Sequence, residues 1–124
     1  VMAFLNATLK PGIDIVMQTV DLASHIKGAS LVITGEGRLD SQTLHGKTPM
    51  GVAGVANRLN VPIVAIAGCV SDDANILLDH GFNALFSITP RALPLAEVLG
   101  NAKSNLYACS KNVAALYALS ATSK

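Results

Sequence analysis

Charge is scarce in this 124-residue chain. Only 14% of its residues are Asp, Glu, Lys or Arg, against ~25% in an ordinary globular domain. Nine basic and eight acidic residues leave a net charge of +1, and the three arginines are scattered, with no basic run. That argues against the positive surface needed to hold a nucleic-acid backbone. It does not exclude a small anionic ligand, which needs only one or two donors in a cleft. Cysteine is nearly absent as well. Cys69 and Cys109 stand 40 positions apart with no CxxC pair and no His/Cys cluster, which argues for two reduced, buried thiols over a disulfide or a zinc site. The N-terminus lacks the basic-then-apolar order of a secretory signal. The Asn6-Ala7-Thr8 sequon therefore carries little weight, and the expected location is the cytoplasm. The longest apolar run, residues 61–70, contains Pro62 and Gly68 and is far too short to cross a bilayer, so no membrane partner is expected. There is no internal repeat and no low-complexity segment.

Hydrophobic residues, by contrast, make up 51% of the chain. A chain of about one domain's length with that composition is either a small protein built mostly of buried parallel sheet, or a piece of a larger protein whose other parts cover apolar surface. Val1, standing where an initiator methionine would, favours the second. Spacing orders the elements. Residues 11–27 read as helical, with Ile13, Val16, Met17 and Val20 at 3 and 4 spacing, Leu22 and Ile26 continuing the face, and Gly28 as C-cap. Leu31-Val32-Ile33 is a short strand that Gly35 and Gly37 break. Pro49 opens a helix to Leu59 that packs through Val52, Val55, Ala56 and Leu59. Residues 62–67 are apolar throughout, which means burial on both faces and hence a parallel sheet covered by helices. Gly68-Cys69-Val70 is expected to turn the chain. Ser71 is expected to cap a helix over residues 72–80, ended by Gly81. A third strand spans 84–88 and a loop 89–94. A helical region begins at 95, is interrupted at Gly100, and runs over 102–119 with Leu106, Cys109, Val113 and Leu116 inward. The alternation α, β, α, β, α, β, α predicts a three-layer α/β/α, Rossmann-like unit around a parallel sheet. Three strands make a narrow sheet whose outer members want neighbours.

Ligands of such sheets bind beyond the carboxyl ends of the strands. Loops 34–48, 68–73 and 89–94 meet there, and the polar residues concentrate in the first two. In the stretch 31–47, LVITGEGRLDSQTLHGK, Gly35 and Gly37 free the backbone to turn and approach a ligand. Glu36 and Asp40 supply carboxylates, Arg38 and Lys47 cations, and Ser41, Gln42, Thr43 and His45 neutral hydrogen-bonding groups. Carboxylates and a lysine beside exposed amides are what a magnesium-bound phosphate and a hydroxyl need for activation. A solvent-facing loop with a helix cap and a surface ion pair would have the same composition. Asp72 and Asp73 could hold Mg²⁺ or orient a substrate, and helix capping accounts for at least one of them. His25 and His80, near helix ends, read as caps or solvent-facing groups. Three better-known motifs fail. Gly46-Lys47-Thr48 imitates the end of a P-loop, but position 41 is Ser41, and Pro49 is expected to restrict Thr48 to extended geometry. Gly35-x-Gly37 follows a strand as a dinucleotide fingerprint does, but position 40 is Asp40. No G-x-S-x-G elbow exists for a serine nucleophile. A nucleotide- or anion-binding module without catalysis and an NAD-type Rossmann domain stay open at this point.

The run VITGEGRLDSQTLHGKTPMGVA, followed by PIVAIAG, SDDA and HGFNALFSI, closely resembles the C-terminal part of bacterial two-domain glycerate kinases, and FLNATLKPGIDIV and SKNVAAL are similar to that family as well. The likeness covers essentially the whole chain, although family members are about three times longer. It implies the C-terminal segment of a Rossmann-like domain, with a second α/β domain inserted upstream and the active site in the cleft between them. It also implies ATP and Mg²⁺ as cofactors, D-glycerate as substrate, the remainder of the same polypeptide as partner, and a homo-oligomer as an open question. Asp40 is then expected as base or metal-linked carboxylate, Glu36 as companion acid, and Arg38 or Lys47 on the substrate carboxylate or the transferred phosphoryl. Ser41, Gln42, Thr43 and His45 would position substrate, and Gly35, Gly37, Asp72 and Asp73 would face the nucleotide.

Overall fold

A computed structural model describes residues 16–18, 20–46, 48–89 and 91–122. The chain is an α/β unit: a parallel three-stranded sheet flanked by helices, as the alternation predicts. Helical residues 16–18 and α1 (Leu22–Ile26) come first, separated by Asp21 in the left-handed region at φ 52°. The expected helix start at residues 11–15 lies outside the described residues. Then follow β1 (Val32–Leu39), a 3₁₀ turn (Ser41–His45), α2 (Thr48–Arg58), β2 (Ile63–Val70), a 3₁₀ segment (Asp72–His80), β3 (Ala84–Ser87), α3 (Leu95–Gly100) and α4 (Ala102–Thr122). The spatial order is β1-β2-β3. The central strand β2 is buried from Ile63 to Ala67, which is why that run is apolar without alternation. No helix among the described residues is long and apolar enough to cross a membrane.

Two expected breaks are strand instead. β1 continues through Gly35, Glu36, Gly37 and Arg38 to Leu39, and β2 continues through Gly68 and Cys69 to Val70. The two strands extend each other, with Glu36 opposite Ala67, Arg38 opposite Cys69 and Leu39 opposite Val70. Gly35 and Gly37 therefore do not turn the chain, and neither has a positive φ. The glycine that close approach requires is Gly68. A Cβ placed on Gly68 would lie 2.8 Å from the Gly37 carbonyl oxygen, where no side chain fits. At this pair the facing of both strands changes. Val32 and its partner Ile63 pack toward the main core, and so do Leu39 and Val70 seven positions later, while Arg38 and Cys69 are turned out to solvent. Strict alternation would put residues an odd number apart on opposite faces, so the ladder is re-aimed where the two glycines meet.

The main core joins one sheet face to α2 and the 3₁₀ segment: Leu39, Ile63, Ala65 and Ala67 meet Ala53 and Ala56 of α2, with Leu77 and Phe82 beyond. Each fully buried Leu or Ile contributes about 1.5–3 kcal/mol. Residues 72–80 form 3₁₀ helix where a regular helix was expected. Its repeat of about three residues lines up Ala74 and Leu77, the two residues it buries. Gly81 ends it at φ 115°. Asn83 accepts from Ile63 N through its side chain at 2.8 Å and donates its own N–H to the Ile63 carbonyl, pinning the entrance of β2. The other face of the sheet meets α4 through Val64, Ile66 and Val113. Of the four residues expected inward on α4, Val113 is buried and Cys109 half-buried, while Leu106 and Leu116 are exposed. The helix is longer than β3, 21 residues spanning about 31 Å against about 13 Å for the four of the strand, and Leu116 lines an open groove beside Val64 and Phe86. Cys69, expected to be buried, is exposed at the end of β2, and both thiols are free.

Two outcomes follow from this packing. Gly68→Ala is expected to cost about 1–3 kcal/mol by overpacking against β1, seen as a lower denaturant midpoint at unchanged slope; wild-type stability would mean the strands can part freely. Burial pushes the Cys109 thiol up, leaving less thiolate at mildly alkaline pH. Alkylation followed by peptide mass should therefore modify Cys69 first, and faster labelling of Cys109 would contradict the packing of α4.

Candidate active site

The carboxyl ends of β1 and β2 are tied together before any side chain acts, because Ser71 N donates to the Leu39 carbonyl at 2.9 Å. The chain leaves β1 at Asp40, not at Thr34, so the loop is shorter than expected and its first residue is the carboxylate. Asp40 is extended, at φ −153° and ψ −173°, and caps the following 3₁₀ turn. Its Oδ1 accepts from Gln42 N at 2.9 Å, and its own N–H donates to Thr43 Oγ1 at 3.1 Å. With the Thr43 backbone N–H also on the Asp40 side chain, Asp40 and Thr43 form a reciprocal capping box. Ser41, Gln42 and Thr43 are thus first of all the turn that holds Asp40. The Thr43 hydroxyl is engaged in that role, while the side chains of Gln42 and His45 are exposed.

Arg38 is the hub of this end of the sheet. Its Nε donates to Asp40 Oδ2 at 3.1 Å and its Nη2 to Ser71 Oγ at 3.0 Å. This is the only salt bridge among the described residues. Ser71, expected to cap the next segment, makes no cap bond with its side chain and accepts from Arg38 instead. The Arg38 side chain is 63% exposed, yet its guanidinium is anchored on two sides. Of its five N–H donors two are used, leaving the Nη1 pair and one Nη2 hydrogen for a ligand anion. Asp40, with up to four acceptor sites, keeps acceptor capacity beyond the bonds from Arg38, Gln42 and the capping box. A fixed guanidinium beside a carboxylate with spare acceptor capacity can hold an oxyanion and receive a hydroxyl proton at one place.

The other expected site residues are less gathered. Glu36 lies on β1, half-buried, four positions before Asp40, and Gly35 and Gly37 are extended within the same strand. Asp72 and Asp73 are exposed in the first turn after β2. None of these three carboxylates has an ion-pair partner among the described residues. Lys47 lies outside the described residues. No group of three or more His, Cys, Asp or Glu among the described residues could hold a metal ion. Sequence reasoning missed Ser71 as a partner of Arg38, because 33 positions separate them and only the strand pairing brings them together. It also passed over Arg91, which follows β3; being one of only three arginines was the available signal.

Comparison with known proteins bears on this arrangement. Residues 1–118 match the model of the glycerate kinase family. A glycerate kinase of Bacillus subtilis strain 168 is 48% identical over 121 residues, which is 98% of this chain and 32% of the relative. A glycerate 2-kinase of Escherichia coli strain K12 is 46% identical over 118 residues, 95% of this chain and 31% of the relative. The crystal structure of a Salmonella typhimurium LT2 protein assigned as glycerate kinase 2 superimposes with a TM-score of 0.71 at 42% identity, covering 98% of this chain and 30% of that one. The chain thus spans about a third of the length of the relatives it matches. With an α/β unit that carries a fixed Arg38–Asp40–Ser71 network at the carboxyl ends of its strands, and a family match over nearly all its residues, the chain belongs to the glycerate kinase family.

Proposed function

We propose that the complete polypeptide transfers the γ-phosphoryl group of ATP to a hydroxyl of D-glycerate, forming 2-phosphoglycerate and ADP. The observation that carries this reading is the anchored Arg38 guanidinium beside Asp40, at the carboxyl ends of the strands, in a chain of the glycerate kinase family. We read the 124 residues as the C-terminal segment of the Rossmann-like domain. The second domain lies upstream, and the cleft between the two is the active site. A binding module without turnover is then the reading for this chain alone, because it spans about a third of its relatives.

In the proposed reaction Asp40 accepts the proton of the attacking hydroxyl. The capping box holds its backbone, and Arg38 holds one of its oxygens. The free N–H groups of Arg38 neutralise the transferred phosphoryl or the glycerate carboxylate. Glu36 is the companion acid, Gln42 and His45 orient the substrate, and Lys47 adds a second cation. Mg²⁺ usually binds through one or two carboxylates together with nucleotide phosphates and water. Asp72 and Asp73 fit that pattern, being two adjacent, exposed carboxylates just beyond β2. Bound there, Mg²⁺ would offset charge on the phosphates.

ADP release by the full-length protein, coupled to a spectroscopic readout, should depend on both D-glycerate and ATP·Mg²⁺; no glycerate-dependent release would refute the activity. Asp40→Asn keeps the cap, since Asn caps about as well as Asp, while removing the proton acceptor together with its ion pair to Arg38. Its turnover is expected to fall by about 10²–10⁴-fold with little change in melting temperature, whereas Asp40→Ala should lose a further ~1 kcal/mol of stability. Near-normal turnover in Asp40→Asn would remove the base assignment and leave Asp40 as a cap.

A further inference from the structure

A second crevice opens beyond β2 and β3, with a volume of about 500 Å³. Arg91 is the one charged side chain that lines it among the described residues, and it is exposed with no ion-pair partner there. Ser87 Oγ accepts from Thr89 N at 3.3 Å, so its hydroxyl hydrogen is left to donate to a ligand. Thr89 uses its own proton on the Gly68 carbonyl at 2.6 Å, which ties the segment after β3 to the end of β2. The rest of the lining is largely apolar, with Leu93, Leu95 and Val98 contributing, and Leu95 is 71% exposed. An apolar wall beside a single guanidinium fits a ligand with one flat, weakly polar part and one anionic part. Glycerate has no apolar part and is small for such a volume. A nucleotide has both parts, and the volume lies within the usual range for small-molecule sites.

We propose that this crevice is the nucleotide subsite. The base and ribose lie against Leu93, Leu95 and Val98, and the phosphates meet the Arg91 guanidinium and the Ser87 hydroxyl. The inference rests on ATP being the phosphoryl donor and adds where the donor lies: across β2 from Arg38, so that β2 separates the nucleotide side from the acceptor side. Cys69, exposed and lining the same crevice, reports its occupancy.

The test uses the full-length protein. Calorimetry measures the Kd of a non-hydrolysable ATP analogue for wild type, Arg91→Ala and Arg91→Lys, and peptide-resolved mass spectrometry measures the rate of Cys69 alkylation by iodoacetamide. The analogue, inorganic phosphate and D-glycerate serve as separate protectants. Arg91→Ala is expected to weaken the analogue about tenfold or more, with partial recovery in Arg91→Lys. The analogue should slow Cys69 alkylation more than phosphate or glycerate does, and that protection should be lost in Arg91→Ala. Unchanged affinity in Arg91→Ala overturns the subsite while leaving ATP-dependent transfer intact. Failure of wild type to bind the analogue overturns both readings. Protection by glycerate in place of the analogue assigns the crevice to the acceptor, and protection by phosphate equal to that of the analogue reduces it to a bare oxyanion site; either result overturns the proposal.

Discussion

The close approach of the β1 and β2 backbones at Gly37 and Gly68 is the constraint on which the rest of this structure depends. With no room for a side chain at Gly68, the two strands stay paired to Leu39 and Val70. Pairing to that depth places Leu39 fully in the core and turns Arg38 and Cys69 outward. It also brings the start of the next segment, Ser71, against the end of β1. The site is therefore a consequence of sheet geometry. Its guanidinium belongs to a strand, its carboxylate caps the turn that leaves that strand, and its serine begins the segment leaving the neighbouring strand.

Such placement has a functional logic. A guanidinium on a flexible loop would lose conformational entropy each time it met an anion. On a paired strand, with Asp40 and Ser71 fixing two of its nitrogens, much of that cost is met on folding. The same two anchors leave three N–H groups free. In a chain with so little charge, the sole ion pair among the described residues stands at the end of the sheet where α/β proteins bind their ligands. The apolar excess is visible as well. Ile33 on β1 and Leu106 and Leu116 on α4 are solvent-exposed, in a chain that spans about a third of its relatives' length.

The fold class was legible because β2 is apolar on every residue from Ile63 to Ala67, which only a strand covered on both faces requires. Helix α2 was legible from Pro49 and the spacing of Val52, Val55 and Ala56. The carboxyl halves of β1 and β2 were not, because a glycine reads the same whether it turns a chain or lets another backbone come close. The crowded position is Gly68, and what crowds it, the Gly37 carbonyl, is 31 positions away. The 3₁₀ character of residues 72–80 was hidden too, since Ala74 and Leu77 suit either helical repeat. For the site, the stretch around Asp40 stood out by its density of polar groups in a charge-poor chain. That Ser71 serves Arg38, and that Arg91 faces a crevice, are facts of tertiary structure with no local signature.

In the proposed reaction Arg38 and Ser71 act as one unit, through the strand pairing that joins them. A double-mutant cycle on kcat/KM of the full-length protein tests it directly, using Arg38→Ala, Ser71→Ala and the double variant. If Ser71 works only by orienting Arg38, the double variant will be no slower than Arg38→Ala alone. Losses that multiply independently would contradict the account and leave the two residues as separate surface groups.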